Sequence, residues 1–162
     1  MGPAIAWQAI ARIAGYLGQS MRFAGVDEAV DALATISASF GPHTPQQWRA
    51  LSEPMLRPAQ GGGVRLHYDP AIAVPVRSFN EEAARAAEAA LWQAWDRITA
   101  RTLLLRGAES DLLSAQTAQA MAGRGPRARL IEFQGVGHAP TLVQPPQVEA
   151  VVSFLLQGEG TE

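Results

Sequence analysis

The chain has 162 residues, of which 48% are hydrophobic and 17% are charged, a balance typical of a globular domain rather than a disordered chain. Its formal net charge of −2 gives no electrostatic reason to expect binding to nucleic acid or to an anionic membrane surface. The absence of cysteine excludes disulfides, cysteine nucleophiles and thiolate-bound metals. No run approaches the roughly 18 apolar residues of a membrane-spanning helix. The first residues lack a basic region ahead of an apolar core, so we expect no secretory signal and a cytoplasmic protein.

The first forty residues predict two helices. Apolar residues recur at helical spacing over residues 4–17, and Gly18 should end this helix. These apolar positions are Ile5, Ala9, Ile10, Ile13, Ala14 and Leu17. A second helix is predicted over about residues 26–40, because Asp27 and Glu28 favour the positive end of a helix at its start.

Two further helices have recognisable N-terminal signals. Residues 44–47 (Thr-Pro-Gln-Gln) match a capping box with proline at the first helical position, and Pro54 should stop the short helix that begins there. Asn80 can cap the next helix, which we expect to run to about Arg97. Its buried side is predicted to carry Leu91, Trp92, Trp95 and Ile98. Between these helices, residues 64–68 are predicted to be extended and brief.

The sequence pattern changes at Thr102. Leu103 to Leu105 form a short continuous apolar run, the pattern of a strand that is buried on both faces. A weak helix over residues 117–121 and a second strand over residues 130–133 come next. A last helix is predicted to begin at Pro146 and to face inward with Val148, Val151, Val152, Leu155 and Leu156. The order predicts a βαβα unit with two parallel strands, behind an all-helical front that ends near residue 100.

An aspartate and a histidine follow the two predicted strands. Asp111 comes after the first strand and His138 after the second. Neighbouring parallel strands lie about 5 Å apart and end at the same edge of a sheet, so their loops can bring the two side chains into hydrogen-bond reach. Gly135 and Gly137 would permit the tight backbone that the histidine loop requires. Such a pair suggests the acid and the base of a nucleophilic triad.

The segments RGAESDLLS, GVGHAPTL and WQAWDRI resemble the C-terminal part of the α/β-hydrolase family, most closely its bacterial esterase-like branch with a helical cap. Residues 66–72 also resemble a cap-to-core segment of that branch, and Gly2-Pro3 resembles the segment after the sixth strand of the family. The resemblance implies an α/β fold of which only the C-terminal half is present. Residues 1–100 would form a helical cap or lid region, and residues 101–162 a core segment that carries the acid and histidine loops.

The same resemblance implies that Asp111 and His138 are catalytic residues for the hydrolysis of an ester or a related carbonyl compound. Family members place the nucleophilic serine in a Gly-x-Ser-x-Gly turn, beside the backbone donors of the oxyanion hole. None of the eight serines of this chain has that context. A base without nucleophile and oxyanion donors loses most of its rate enhancement. We therefore expect the isolated chain to be inactive, with its other half on a separate chain or lost by truncation.

Two other interpretations remain open on sequence alone. The chain could be a non-catalytic binding or assembly module in which Asp111 and His138 are a relic, or a complete enzyme with an unrecognised nucleophile. Asp111 could also be a simple turn or capping carboxylate, and His138 a plain loop histidine.

The expected ligand is a small-molecule substrate bound by the complete enzyme. We expect no cofactor, no nucleic acid and no membrane as partner. No metal is expected either, because His43 and His67 lack metal-ligand spacing to a second ligand. The strand at residues 102–106 would have an unpaired edge beside its leucines, and such an edge is a template for pairing with another chain. The sequence therefore predicts a homo-oligomer, or association with an upstream hydrolase half.

Overall fold

The structure is a computed structural model that describes residues 2–4, 6–78 and 80–157. Ile5, one of the apolar positions of the first predicted helix, lies outside the described residues. The last five residues of the predicted core segment, 158–162, lie outside them too. No helix in the described part is long and apolar enough to cross a membrane.

Helices dominate the described chain. In chain order they are α1 (Trp7–Tyr16), α2 (Val26–Ile36), α3 (Pro45–Ser52), α4 (Ala73–Ser78), α5 (Glu81–Asp96), α6 (Ala115–Gly123) and α7 (Pro145–Leu156). The strands are β1 (Arg22–Phe23), β2 (Leu56–Pro58), β3 (Val64–Leu66), β4 (Leu103–Gly107) and β5 (Arg129–Phe133). The order β4, α6, β5, α7 confirms the predicted βαβα unit.

The front of the chain contains a small antiparallel sheet, so the prediction of an all-helical front is wrong. Its strand order is β1-β3-β2, with Phe23 opposite Val64 and Leu56 opposite Leu66. Strands of two or three residues are too short to show an alternating hydrophobic pattern. Only β3 had been expected as an extended segment, because the pairing of β1 and β2 with it depends on contacts distant in sequence.

The predicted helix starts are confirmed by their hydrogen bonds. The Thr44 hydroxyl oxygen accepts from the Gln47 backbone N–H at 3.2 Å, and the Gln47 side-chain oxygen accepts from the Thr44 N–H at 2.9 Å. The Asn80 side chain accepts from the Ala83 N–H at 2.8 Å, at the start of α5. Helix α3 ends at Ser52, before Pro54, as expected.

The second sheet consists of β4 and β5 in parallel, from Leu103 opposite Arg129 to Gly107 opposite Phe133. The buried residues Leu113, Ala118 and Met121 form a core under this sheet. Four partly buried residues pack against it: Trp92, Trp95, Leu104 and Leu130. The leucines of β4 are only partly buried, whereas the sequence predicted a strand buried on both faces, because within the described chain β4 has a neighbour on one side only.

Several apolar side chains that were predicted to face inward are exposed. On α7, Leu155 is 70% exposed and Leu156 is 79% exposed, and Val148 and Val152 are exposed as well. Leu91 of α5 and Ile98 just beyond it are also exposed, while Trp92 and Trp95 are partly buried as expected. Helical periodicity predicts which side of a helix is apolar, but not whether another layer covers that side. No described layer covers these side chains.

The capping box of α3 provides a test of this fold. We expect Thr44→Ala to lower the free energy of unfolding by about 1 kcal/mol, because it removes an N-cap hydrogen bond. Thr35→Ala is the matched control, since the Thr35 hydroxyl donates to the Asp31 carbonyl within α2 and caps no helix. Urea unfolding of both variants measures the difference, and equal losses would contradict the assignment.

Candidate active site

The loop after β4, residues 108–114, carries Asp111 and is called here the acid loop. The loop after β5, residues 134–144, carries His138 and is called the histidine loop. Two backbone hydrogen bonds hold the acid loop here: Ala108 donates to the Phe133 carbonyl at the end of β5 at 2.9 Å, and Glu109 donates to the Val136 carbonyl in the histidine loop at 3.0 Å. The structure therefore brings both loops together at the carboxyl ends of β4 and β5.

Gly107, the last residue of β4, lies directly against the histidine loop. A Cβ atom at this position would clash with the carbonyl oxygens of Val136 and Gly137. Only a residue without a side chain permits this approach. From sequence, Gly135 and Gly137 were expected to permit the tight backbone instead. Gly135 does adopt a positive φ of 69°, but the glycine that sets the distance between the loops is Gly107.

The Asp111 carboxylate is paired with the guanidinium of Arg12, which lies on α1. The hydrogen bond from Arg12 and its charge hold the pKa of Asp111 below its usual range, against a smaller opposing effect of burial, and the charge of His138 acts in the same direction as Arg12. Both members of the ion pair are about half exposed. Arg12 could not be identified from sequence as the partner of Asp111, because the two lie 99 positions apart in the chain.

His138 is partly buried in the histidine loop. Burial lowers the pKa of His138, while the nearby negative charge of Asp111 acts to raise it. Across the described residues, the hydrogen bonds of Asp111 include one with Arg12 and none with the His138 side chain. The loops are thus brought together as predicted, but the carboxylate is engaged by Arg12 and a direct bond to His138 is not formed.

A segment of the front part holds the histidine loop on both sides of His138. The Gly137 N–H donates to the Ser39 carbonyl at 2.6 Å. His43 Nδ1 donates to the Gly41 carbonyl at 2.8 Å, and its Nε2 is hydrogen-bonded to the Thr141 hydroxyl at 2.7 Å. His43 therefore positions the histidine loop through these two hydrogen bonds, a role that its sequence context did not indicate.

The site combines a half-exposed carboxylate that is ionised at neutral pH with a partly buried histidine whose neutral form is favoured. A neutral imidazole can accept a proton from a hydroxyl, and a nearby carboxylate stabilises the imidazolium that results. No group of three or more histidine, aspartate or glutamate side chains in the described chain is arranged to hold a metal ion. The chemistry that the arrangement favours is proton transfer.

Comparison with known proteins assigns this chain to a family. The model of the alpha/beta hydrolase family matches residues 1–151. The chain therefore belongs to the α/β-hydrolase family, which confirms the resemblance and the fold class predicted from sequence. The domain boundary near residue 100 and the roles of Asp111 and His138 are not tested by this match and stay predictions.

The chain is 46% identical over 157 residues to a 3-hydroxybutyrate-oligomer hydrolase from Cupriavidus necator, a match that covers 95% of this chain and 54% of the relative. An alpha/beta hydrolase from Novosphingobium aromaticivorans superposes with a TM-score of 0.78 at 32% identity, over 96% of this chain and 54% of that protein. E-2-(acetamidomethylene)succinate hydrolase, at 21% identity and a TM-score of 0.73 over 96% of this chain and 55% of its own length, shows the fold alone. The chain spans about half the length of these proteins.

The Arg12–Asp111 pair has a measurable consequence. We expect Arg12→Gln to raise the pKa of Asp111 toward its ordinary value, because the largest cause of the lowered pKa is the hydrogen bond from Arg12. Because the folded-state pKa is lowered, the ion pair stabilises the fold above the unfolded pKa of Asp111, and this stability is lost as pH falls through the folded pKa. The titration of the Asp111 carboxyl carbon by NMR measures the change.

Arg77→Gln is the control for this measurement. Arg77 donates to the Leu17 carbonyl at 2.7 Å and forms no ion pair with a carboxylate of the described residues, so its loss should leave the pKa of Asp111 unchanged. If Asp111 titrates at the same pH in Arg12→Gln as in the unaltered chain, the ion pair does not control its ionisation.

Proposed function

We propose that this chain supplies the acid and the base of a Ser-His-Asp hydrolase that cleaves carboxylic esters, with Asp111 as the acid and His138 as the base. The observation that carries the proposal is the joining of the two loops at the carboxyl ends of neighbouring parallel strands, through the bond from Glu109 N–H to the Val136 carbonyl. Ligands and catalytic groups of α/β sheets concentrate at these ends. Membership of the hydrolase family supports the same assignment.

The proposed mechanism uses His138 as a proton carrier. The neutral imidazole accepts the proton of a serine hydroxyl as that oxygen attacks the ester carbonyl, and then gives the proton to the leaving alcohol. Asp111 stabilises the imidazolium between these steps, which requires its carboxylate to turn from Arg12 to His138. The lowered pKa of both groups favours their starting forms, a charged carboxylate and a neutral base.

The proposed substrate is an ester of the 3-hydroxybutyrate-oligomer type. The support is the 46% identity with the Cupriavidus necator hydrolase, which extends over both the front part and the α/β part of this chain. The chain has no serine in a Gly-x-Ser-x-Gly context, so we propose that the nucleophile comes from polypeptide outside these 162 residues. A cytoplasmic location also stays a prediction.

A second candidate function is a non-catalytic binding or assembly module. It is favoured by one observation, the engagement of Asp111 by Arg12 instead of by His138. In that case the acid and histidine loops would be retained only for the contacts that they make with each other. Measured hydrolysis separates the two candidates.

The catalytic proposal is tested with a chimera in which the part of the Cupriavidus necator relative that this chain does not cover is joined to this chain. We expect the chimera to hydrolyse an oligomer of 3-hydroxybutyrate, and His138→Ala or Asp111→Asn to reduce the rate by about 10³-fold or more. His67→Ala is the control, since His67 is a histidine outside the proposed site. We expect the 162-residue chain by itself to show no hydrolysis above buffer.

Two results would contradict the proposal. One is a chimera that keeps its rate after His138→Ala. The other is hydrolysis by the 162-residue chain itself that is lost on His138→Ala, because the nucleophile would then lie within these residues. A folded chimera with no hydrolysis would favour the binding module.

We further propose that the open edge of β4 pairs with another polypeptide, either a second copy of this chain or an upstream hydrolase half. Among the described strands β4 pairs only with β5. Arg101 donates to the Phe154 carbonyl at 2.6 Å, so the last turn of α7, with exposed Leu155 and Leu156, lies beside the start of β4. An unpaired strand edge next to apolar surface favours association.

Light scattering tests this proposal on the purified chain. We expect a dimer or a larger oligomer at micromolar concentration, and a shift toward monomer in the double variant Leu155→Lys, Leu156→Lys. Ile36→Lys is the matched control, because Ile36 is an exposed apolar residue on α2, away from the β4 edge. A monomer at all concentrations, with no association when the missing part of the relative is added as a separate chain, would rule out the proposal.

A further inference from the structure

Arg106, the residue before Gly107 in β4, is a buried charged side chain that the proposed proton transfer does not use. It is only 6% exposed. Its Nη1 donates to Glu132 Oε1 at 2.5 Å, and Glu132 is the residue directly opposite Arg106 in β5. The pair is therefore a cross-strand ion pair between β4 and β5, one residue before the end of each strand.

The other donors of the Arg106 guanidinium reach into the acid loop. Nε donates to the Leu113 carbonyl at 2.7 Å, and Nη2 donates to the Ser110 carbonyl at 3.4 Å. These two carbonyls lie on either side of Asp111 in the chain. The Ser110 hydroxyl also accepts from the Leu113 N–H at 3.2 Å. The guanidinium and Ser110 thus fix the backbone of the segment that presents Asp111.

Burial of the Arg106 charge does not by itself show that the charge stabilises the fold. Desolvation of a guanidinium is costly, and an apolar residue of similar size in place of a buried ion pair is often equally stable. The planar guanidinium offers several donors in one fixed geometry, which can hold two carbonyls and a carboxylate together. The hydrogen bonds of the Arg106 guanidinium therefore define the conformation of the acid loop.

We infer that Arg106 is the positioning residue of the acid loop: its guanidinium, anchored on Glu132 of β5, holds the Ser110 and Leu113 carbonyls and with them the backbone of Asp111 beside the histidine loop. This inference rests on the proposed roles of Asp111 and His138. Glu132 lies in β5, which leads into the histidine loop. The same cross-strand ion pair therefore sets the position of the acid loop relative to His138.

The test is the titration of His138 in the unaltered 162-residue chain and in variants, followed by NMR of its imidazole. Only three histidines are present, and the signal that disappears in His138→Gln identifies His138. Asp111→Asn removes the carboxylate that favours the imidazolium, so we expect the pKa of His138 to fall. Arg106→Met should lower it in the same direction, because the backbone of Asp111 is no longer held beside the histidine loop.

The combination of variants separates positioning from other effects. Direct loss of a positive charge at residue 106 would raise the pKa of His138, which is the opposite sign. In the double variant Arg106→Met, Asp111→Asn we expect no fall beyond that of Asp111→Asn alone. Arg106→Lys keeps the charge but lacks the fork of donors, and should give an intermediate fall. If Arg106→Met does not fold, Arg106→Lys alone serves as the test.

Arg124→Met is the control, since Arg124 also forms an ion pair, with Asp96, but on the surface between α5 and α6. It should leave the titration of His138 unchanged. If Asp111→Asn lowers the pKa of His138 and the Arg106 variants do not, or if Arg106→Met lowers it equally without Asp111, the positioning role is wrong. If Asp111→Asn itself has no effect, the acid–base pairing in the proposed function fails, and the positioning role fails with it.

Discussion

The contact between Gly107 and the backbone of Val136 and Gly137 is the constraint on which the site depends. Because Gly107 has no side chain, the end of β4 can lie directly against the histidine loop. This close approach lets the Glu109 N–H reach the Val136 carbonyl. The acid and histidine loops consequently behave as one joined unit at the end of the two-stranded sheet. The proposed proton transfer depends on this short backbone separation.

Arg106, Arg12 and the front part of the chain each contact a different part of that unit. Arg106 fixes the acid loop from inside the sheet, whereas Arg12 reaches the Asp111 carboxylate from α1. His138 is held from the front part through its neighbours in the loop. In the observed state the neutral form of the proposed base, His138, is favoured, whereas the proposed acid, Asp111, is engaged by Arg12. A change in which Asp111 moves from Arg12 to His138 would complete the arrangement that the proposed catalysis requires.

The site could be predicted from sequence only as far as its two polar residues. Asp111 and His138 stand out because each follows an apolar run of strand length. Arg106 gave a weaker signal, a single charge directly after three leucines, which did not reveal that it is buried. Arg12 and His43 gave no usable signal, because their partners lie about a hundred positions away in the chain.

The sequence by itself determined the local elements of this protein: the capping box at Thr44, the cap at Asn80, the stop before Pro54 and the βαβα order. These depend on interactions within a few residues, for which the sequence pattern is sufficient. The tertiary structure decided the antiparallel sheet of β1, β2 and β3, the partner of Asp111 and the exposure of Leu155 and Leu156. Each of these depends on which surfaces meet in three dimensions, and a helical or strand pattern specifies an apolar face without specifying what covers it.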